Sequence, residues 1–168
     1  MKQIIIITLL FLGALSCTKE TYVEGLDNNM PSNTGNNNNN GPVTTDEGLF
    51  TIKSQWKGTF LHTRSQQVVC EAGSYQWKRL NIKGTTRYYF KDPASGSYLA
   101  VNASGEVTLS DQQNNASLWI LSQVDNNSTL FRIASYSKAS NYINIETGPV
   151  KCGPILSGWL SAQWIISK

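Results

Sequence analysis

Side chains that could perform acid–base, nucleophilic or metal chemistry are scarce in this chain of 168 residues. It contains one histidine, His62, and three widely separated cysteines, Cys17, Cys70 and Cys152. A zinc site needs several clustered ligands, and a nucleophilic Ser or Cys needs a neighbouring base, which is commonly His. No nucleophile elbow or phosphate-binding glycine loop occurs, and the acidic residues form no evident constellation. We therefore expect a protein that is not an enzyme and that carries no metal or cofactor.

Aromatic and amide side chains offer a different chemistry, because a pyranose ring stacks on an exposed indole while its hydroxyls need planar hydrogen-bonding partners. Trp56 lies in the segment SQWKG and Trp159 in SGWLS, so both are flanked by small or polar residues. Such flanks are typical of loops, where a Trp ring is exposed more often than in a strand. With Asn141 and Asn144 as amides, these four are candidate carbohydrate-binding residues. The alternative for Trp159 is that it packs against the body of the domain.

The elements that must position these residues repeat three times. Trp77, Trp119 and Trp164 recur at spacings of 42 and 45 residues. In the same phase, each repeat has an opening apolar segment, an aromatic-aliphatic pair and a third short apolar segment. Apolar and polar residues alternate with period two, and the breaks fall at Gly, Pro, Asn and Asp. The sequence therefore predicts four strands in each repeat and twelve in all.

Units of about 40 residues are too small for independent cores, so the three must share one. Three four-strand units, each with an aromatic-aliphatic second strand and a Trp in the fourth, resemble the β-trefoil fold. The segment YLAVNASGEV is similar to a hairpin of fascin-like and growth-factor-like trefoils, and Gln163-Trp164 is similar to ricin-B-type lectin domains. The resemblance covers residues 48–168 and implies an all-β domain with aromatic residues meeting near a pseudo-threefold axis. These residues are Trp77, Trp119, Trp164, Phe60, Tyr98 and Tyr142.

The resemblance to ricin-type lectins implies a sugar pocket marked by an Asp in the second strand, an aromatic platform on the third and a Gln two residues before the Trp. This chain departs from that pattern in every unit. The residues at the Asp positions are His62, Ala100 and Asn144. Those at the Gln positions are Tyr75, Ser117 and Ala162. We therefore expect a rebuilt pocket in the third unit, with Asn141 and Asn144 as amides and Trp159 as the platform.

The first seventeen residues have the pattern of an export signal. Lys2 precedes an apolar run, residues 4–13, that is too short for a membrane-spanning helix of about 20 residues. Ala14-Leu15-Ser16-Cys17 resembles the lipobox of bacterial lipoproteins, which implies that Cys17 becomes a lipid-modified N-terminus. Thr18, rather than Asp, follows it, which in that family implies transfer to the outer membrane of a Gram-negative cell. We expect attachment through this lipid alone, with the domain at the cell surface.

Residues 18–47 have the composition of a linker. Eight asparagines lie between Asp27 and Gly41, with almost no side chain that a core could bury. Such a segment does not offset the entropy cost of ordering, so we expect it to be disordered. Its net charge is −4, whereas residues 48–168 carry +6. The predicted trefoil domain is therefore basic.

Five of its basic residues fall close together at the junction of the first two units. They are Lys78, Arg79, Lys83, Arg87 and Lys91. Such a patch attracts anionic polysaccharides through interactions that salt screens, and solvated surface charge is the alternative. We expect a monomer whose partner is a glycan, anionic if this patch takes part, and not a nucleic acid.

The predicted function is that of a surface-tethered, non-catalytic carbohydrate-binding lipoprotein. A protein-binding module, such as an adhesin or a protease inhibitor, is the alternative, because trefoils host both. Cys70 and Cys152 occupy corresponding third strands, and the oxidising compartment after export permits a disulfide between them. Two free thiols fit the sequence equally well, because corresponding strands need not come within disulfide distance.

Overall fold

A computed structural model describes residues 42–168, which contain twelve β-strands and two short 3₁₀ turns. The first unit contains β1 (Thr44–Ser54), β2 (Phe60–Arg64), β3 (Gln67–Glu71) and β4 (Gln76–Ile82). The second contains β5 (Arg87–Lys91), β6 (Tyr98–Val101), β7 (Val107–Ser110) and β8 (Trp119–Val124). The third contains β9 (Asn127–Ser135), β10 (Tyr142–Asn144), β11 (Lys151–Gly153) and β12 (Trp164–Ser167). The 3₁₀ turns are Asn115–Ser117 and Leu160–Ala162. The prediction of twelve strands in three units is confirmed.

Six of the strands form a closed antiparallel ring in the order β1, β4, β5, β8, β9, β12. Phe50 lies opposite Trp77 where β1 meets β4, and Ile52 lies opposite Ile166 where β12 closes the ring. Each unit contributes its first and fourth strands. Closure leaves these strands without a free edge, which stabilises a small all-β domain.

The second and third strands of each unit form a hairpin outside the ring. Each hairpin is joined to the first strand of its own unit by one residue pair. These pairs are Lys53 with Phe60, Lys91 with Tyr98, and Ala134 with Tyr142. A six-stranded ring with three equivalent hairpins is the β-trefoil fold, as the sequence predicts.

The repeat tryptophans Trp77, Trp119 and Trp164 are fully buried in the core. The aliphatic residue of each second strand is also fully buried. These residues are Leu61, Leu99 and Ile143. The aromatic residue before each of them is only partly buried, so the prediction that Phe60, Tyr98 and Tyr142 join the axial core is wrong. Because neighbouring side chains in a strand point to opposite faces, only one member of each pair faces inward, and it is the aliphatic one.

Strand β1 begins before the boundary that the composition indicates. Thr44 lies opposite Ile82 and Asp46 opposite Leu80, so residues 44–47, which the sequence assigns to the linker, belong to the folded domain. Pairing with β4 supplies hydrogen bonds that composition alone does not reveal. The predicted signal peptide, Cys17 and residues 18–41 of the predicted linker lie outside the described residues. Within residues 42–168, no helix has the length and apolarity needed to cross a membrane.

Cys70 and Cys152 are free thiols. Cys70 lies opposite Leu61 in the first hairpin, and Cys152 lies opposite Ile143 in the third, so they are at corresponding positions. The Cys70 Sγ lies 3.0 Å from Thr59 Oγ1. Of the two arrangements compatible with the sequence, the structure therefore contains the unbridged one.

Candidate functional site

Trp159 immediately precedes the 3₁₀ turn Leu160–Ala162. Its backbone N–H donates to the Leu156 carbonyl at 3.1 Å, and its carbonyl accepts from the Ala162 N–H at 3.4 Å. The indole is half-buried, whereas Leu156 and Leu160 are 68% and 50% exposed. This turn therefore presents apolar surface to solvent beside a partly sheltered indole.

Trp56 lies in the loop between β1 and β2, and it is 46% exposed. The Nζ of Lys57 lies 4.7 Å from the centroid of its ring. The N–H of Gln55 donates to the Gln163 carbonyl at 3.0 Å, directly after the turn that follows Trp159. The two candidate tryptophans therefore lie on neighbouring loops of the first and third units. We call Trp56, Lys57, Leu156, Trp159 and Leu160 the two-tryptophan face.

The two candidate asparagines differ from the tryptophans in their surroundings. Asn144 is only 7% exposed; its Nδ2 donates to the Tyr142 carbonyl at 3.2 Å, and its Oδ1 accepts from the Glu146 N–H at 3.4 Å. Its amide therefore holds the chain after β10 and lies inside the domain. Asn141 is half-buried before β10, with its backbone carbonyl accepting from the Ser135 N–H at 2.8 Å. The 3₁₀ turn after Trp159 contacts the C-terminal end of β10, where the Ile145 N–H donates to the Ser161 carbonyl at 3.2 Å, so Asn144 lies near that turn. Asn141 lies before the other end of β10, so the predicted grouping of Asn141 with Asn144 and Trp159 in one pocket is wrong.

A polar cluster that the sequence did not predict joins the first and second units. The Tyr75 hydroxyl donates to Asp92 and lies 2.8 Å from Thr63 Oγ1. The His62 ring centroid is 5.6 Å from that of Tyr75. His62 and Tyr75 stand where the lectin pattern has Asp and Gln, so two departures from the pattern contact each other. In the sequence, the only indication of this contact was that His62 and Tyr75 occupy lectin-pattern positions of the same repeat.

Asp92 is the centre of this cluster, and it is 2% exposed. It accepts further hydrogen bonds from Ser95 Oγ at 2.7 Å and from the Ala94 N–H at 2.9 Å. Burial raises the pKa of Asp92, but its hydrogen bonds from Tyr75, Ser95 and Ala94 outweigh burial, so the pKa lies below its ordinary value. Burial, and then the bond to Asp92, raise the pKa of Tyr75. This cluster binds two units together and leaves little of the carboxylate for a ligand.

The predicted basic patch is partly neutralised by β1. Lys78 Nζ lies 2.7 Å from Asp46 Oδ2, and Arg79 Nε lies 2.6 Å from Glu47 Oε2. The Arg79 guanidinium also lies 3.7 Å from the centroid of the Phe50 ring. Two of the five basic residues are therefore already paired, which weakens the patch as a site for an anionic partner.

A cavity of about 610 Å³ lies where the three third strands meet. Its floor includes the buried Val68, Val107 and Val150, and its rim includes Glu106 and Lys151. It shares no residue with the two-tryptophan face. Across residues 42–168, no group of three or more His, Cys, Asp or Glu side chains is placed to hold a metal ion.

No protein-family model matches the chain, and no curated protein matches it in sequence. Solved structures share its fold at low sequence identity. A GlcNAcα1-4Gal-releasing endo-β-galactosidase from Clostridium perfringens matches with a TM-score of 0.63 and 18% identity over 71% of this chain. The chain spans only 32% of that enzyme.

Two further matches extend over nearly the whole of the other protein. ThreeFoil, a designed threefold-symmetric protein, has a TM-score of 0.61 and 16% identity, with 73% of this chain and 99% of ThreeFoil covered. SeviL, bound to asialo-GM1 saccharide, has a TM-score of 0.60 and 17% identity, with 72% and 97% covered. At these identities the matches establish the β-trefoil fold, and the function must be argued from the site.

Proposed function

We propose that this chain is a non-catalytic carbohydrate-binding protein that binds sugar on the two-tryptophan face. The observation that carries the proposal is the exposure of Trp56, at 46%, while the three repeat tryptophans are fully buried. Exposed apolar surface of this kind marks interaction sites in soluble domains. The loops of Trp56 and Trp159 are joined by the hydrogen bond from Gln55 to Gln163, so each indole would supply a stacking surface on adjacent loops.

The named structural neighbours support a glycan as the ligand. SeviL was solved with a saccharide, and the matched enzyme acts on a galactose-containing glycan. Because Asn144 is buried and internally bonded, and Asn141 lies in the loop between β9 and β10, hydroxyl recognition falls to the backbone and polar groups of the two tryptophan loops. The sugar thus contacts loops rather than the pattern positions of ricin-type lectins.

The proposal includes the outer-membrane localisation that residues 1–17 indicate. A lipid on Cys17 would hold the chain at the outer membrane, and residues 18–41 would let the domain reach glycans at the cell surface. Mass spectrometry of the protein purified from membranes tests this part. An acylated N-terminal Cys17 supports it, and an unmodified N-terminus elsewhere contradicts it.

A glycan array tests the binding itself, with the labelled chain from Thr18 onward, which retains every described residue. We expect binding that Trp56→Ala and Trp159→Ala each weaken by about tenfold or more, as for truncation of a central aromatic contact. Leu49→Ala, which removes an exposed apolar side chain elsewhere on β1, is the matched control and should bind normally. Binding that both tryptophan variants leave intact rules out this face. New reducing ends released from a bound glycan would contradict a non-catalytic role.

Protein binding is the second candidate, because Leu156 and Leu160 add exposed aliphatic surface that sugars do not require. The two functions differ in what the leucines do. Leu156→Ala and Leu160→Ala should leave glycan affinity within about twofold, since hot spots are few and aromatic. If they abolish capture of a purified protein partner while no glycan binds, the protein-binding function replaces the first.

A further inference from the structure

The two loops that carry the two-tryptophan face, residues 55–59 and 153–163, contain no Asp or Glu. Lys57 extends over the Trp56 ring, 4.7 Å from its centroid. Lys53, at the end of β1, reaches the same loop, because its Cε lies 3.8 Å from the position that a Cβ on Gly58 would take. Among residues 42–168, neither lysine takes part in an ion pair. Lys57 therefore borders the exposed indole without an ion-pair partner, and Lys53, whose Nζ lies 5.6 Å from the centroid of the Phe60 ring, borders the loop that carries it.

The corresponding loops of the other units lack this combination. The second unit repeats the Lys53 contact, because the Lys91 Cε lies 3.8 Å from the position that a Cβ on Gly96 would take. Its loop, residues 93–97, includes neither an aromatic nor a basic side chain, so it has no counterpart of Trp56 and Lys57. In the third unit, Arg87 lies 4.8 Å from the centroid of the Tyr136 ring, and Lys138 Nζ donates to a backbone carbonyl at 2.6 Å. The first unit alone places an exposed Trp beside a lysine, Lys57, that has no ion-pair partner in the described domain.

We propose that the two-tryptophan face prefers an anionic pyranose, one carrying a carboxylate or a sulfate, over a neutral one. The inference rests on the proposed function, since it assumes a sugar on Trp56. Because Lys57 lies over one face of the indole, the apolar face of the sugar covers the opposite face, and the anionic substituent accepts a hydrogen bond from Lys57, with Lys53 adding positive charge at the same loop. Charge-assisted hydrogen bonds are about twice as strong as neutral ones, so a neutral sugar forgoes the stronger contact.

Matched pairs of polymers test the preference with the chain from Thr18 onward. Polygalacturonate is compared with its methyl ester, which keeps the rings and removes the charge, and dextran sulfate is compared with dextran. We expect the charged member of at least one pair to bind about tenfold tighter at about 50 mM salt, and this advantage to shrink at about 500 mM, where screening is strong. The pair that responds tells whether carboxylate or sulfate is recognised.

Variants locate the effect on this face. Lys57→Gln should weaken binding of the charged polymer by about fivefold and leave the uncharged one unchanged, as for the loss of one charged contact. Lys83→Gln, on the exposed turn after β4, is the matched control and should bind like the parent chain. Equal binding of charged and uncharged partners, or equal losses from the two variants, overturns the inference. If only uncharged sugars bind, and Trp56→Ala removes that binding, the preference for anions is wrong but the proposed function stands. If no polymer or arrayed glycan binds, both the preference and the proposed function are contradicted.

Discussion

The indole N–H of Trp77 donates a hydrogen bond of 2.8 Å to the backbone carbonyl of Leu61. Both residues are fully buried, so this bond satisfies a carbonyl that water does not reach. The other units repeat it through Trp119 with Leu99 at 2.8 Å and Trp164 with Ile143 at 2.9 Å. Each bond joins a ring strand to the hairpin of the same unit. The repeated Trp therefore contributes its N–H as well as its volume to the core.

Replacing Trp119 by Phe should therefore destabilise the domain more than loss of volume alone explains. The change leaves the Leu99 carbonyl buried without its donor, which costs about 1–3 kcal/mol in the free energy of unfolding. Trp56→Phe, at an exposed position, should change that free energy by less than about 0.5 kcal/mol. Urea unfolding of both variants measures the difference. Equal stabilities would show that the indole bond contributes nothing.

The strand pattern was predictable because it depends on local alternation and on a repeat long enough to recognise. Which residue of each second strand faces inward was not predictable. Alternation with period two is equally consistent with an inward Phe60 or an inward Leu61, because both side chains are apolar. Tertiary packing decides it, and it buries Leu61 fully while Phe60 stays partly exposed. The start of β1 at Thr44 was also unpredictable, because it depends on pairing with β4, about 38 residues away along the chain.

Gly105 should tolerate no side chain, because it has a backbone φ of +90° and approaches β11 closely. A Cβ there would lie 2.8 Å from the Cys152 carbonyl oxygen, and the Cys152 N–H donates to the Gly105 carbonyl at 2.8 Å. Gly148 has a φ of +98° with nothing within 4 Å of its Cβ position, so it is a matched control. Gly148→Ala should cost about 1–2 kcal/mol of backbone strain. Gly105→Ala should cost clearly more in urea unfolding, and equal costs would contradict the close approach.

Acid should destabilise the domain partly through Asp92, whose pKa in the folded chain lies below its ordinary value. A carboxyl of this kind contributes stability above its unfolded pKa of about 3.9 and loses it as the pH falls through the folded pKa. The parent chain should therefore lose stability below about pH 4 more steeply than Asp92→Asn, which lacks this titration. Tyr75→Phe should weaken the effect by removing one donor.

Unfolding midpoints in urea, measured from pH 7 to pH 2.5, distinguish Asp92 from the other carboxyls. The hydrogen bond from Lys78 lowers the pKa of Asp46, but Asp46 is exposed, so Asp46→Asn should change the acid limb only slightly. If the parent chain and Asp92→Asn lose the same stability as the pH falls, Asp92 does not contribute to the acid destabilisation.

The candidate site was predictable only in part. Small and polar flanks correctly indicated that Trp56 lies in an exposed loop, because local sequence sets loop character. The burial of Asn144 was not visible, since it depends on bonds to Tyr142 and Glu146 that form only when the turn after β10 closes. The meeting of Tyr75 with Asp92 depends on how two units pack, and no local pattern encodes it.

The two thiols should be inert in the folded chain and titratable after unfolding. Burial raises the pKa of Cys152 to about 12 and also raises that of Cys70, so neither forms much of the reactive thiolate at pH 8. The chain from Thr18 onward contains only these two cysteines. In the folded state Ellman's reagent should react slowly, with the partly exposed Cys70 ahead of the buried Cys152.

Unfolding in guanidinium without a reductant should release two thiols, and Cys70→Ser should release one. No thiol under those conditions would mean that the hairpins move far enough to form a disulfide, which the folded arrangement of corresponding strands argues against.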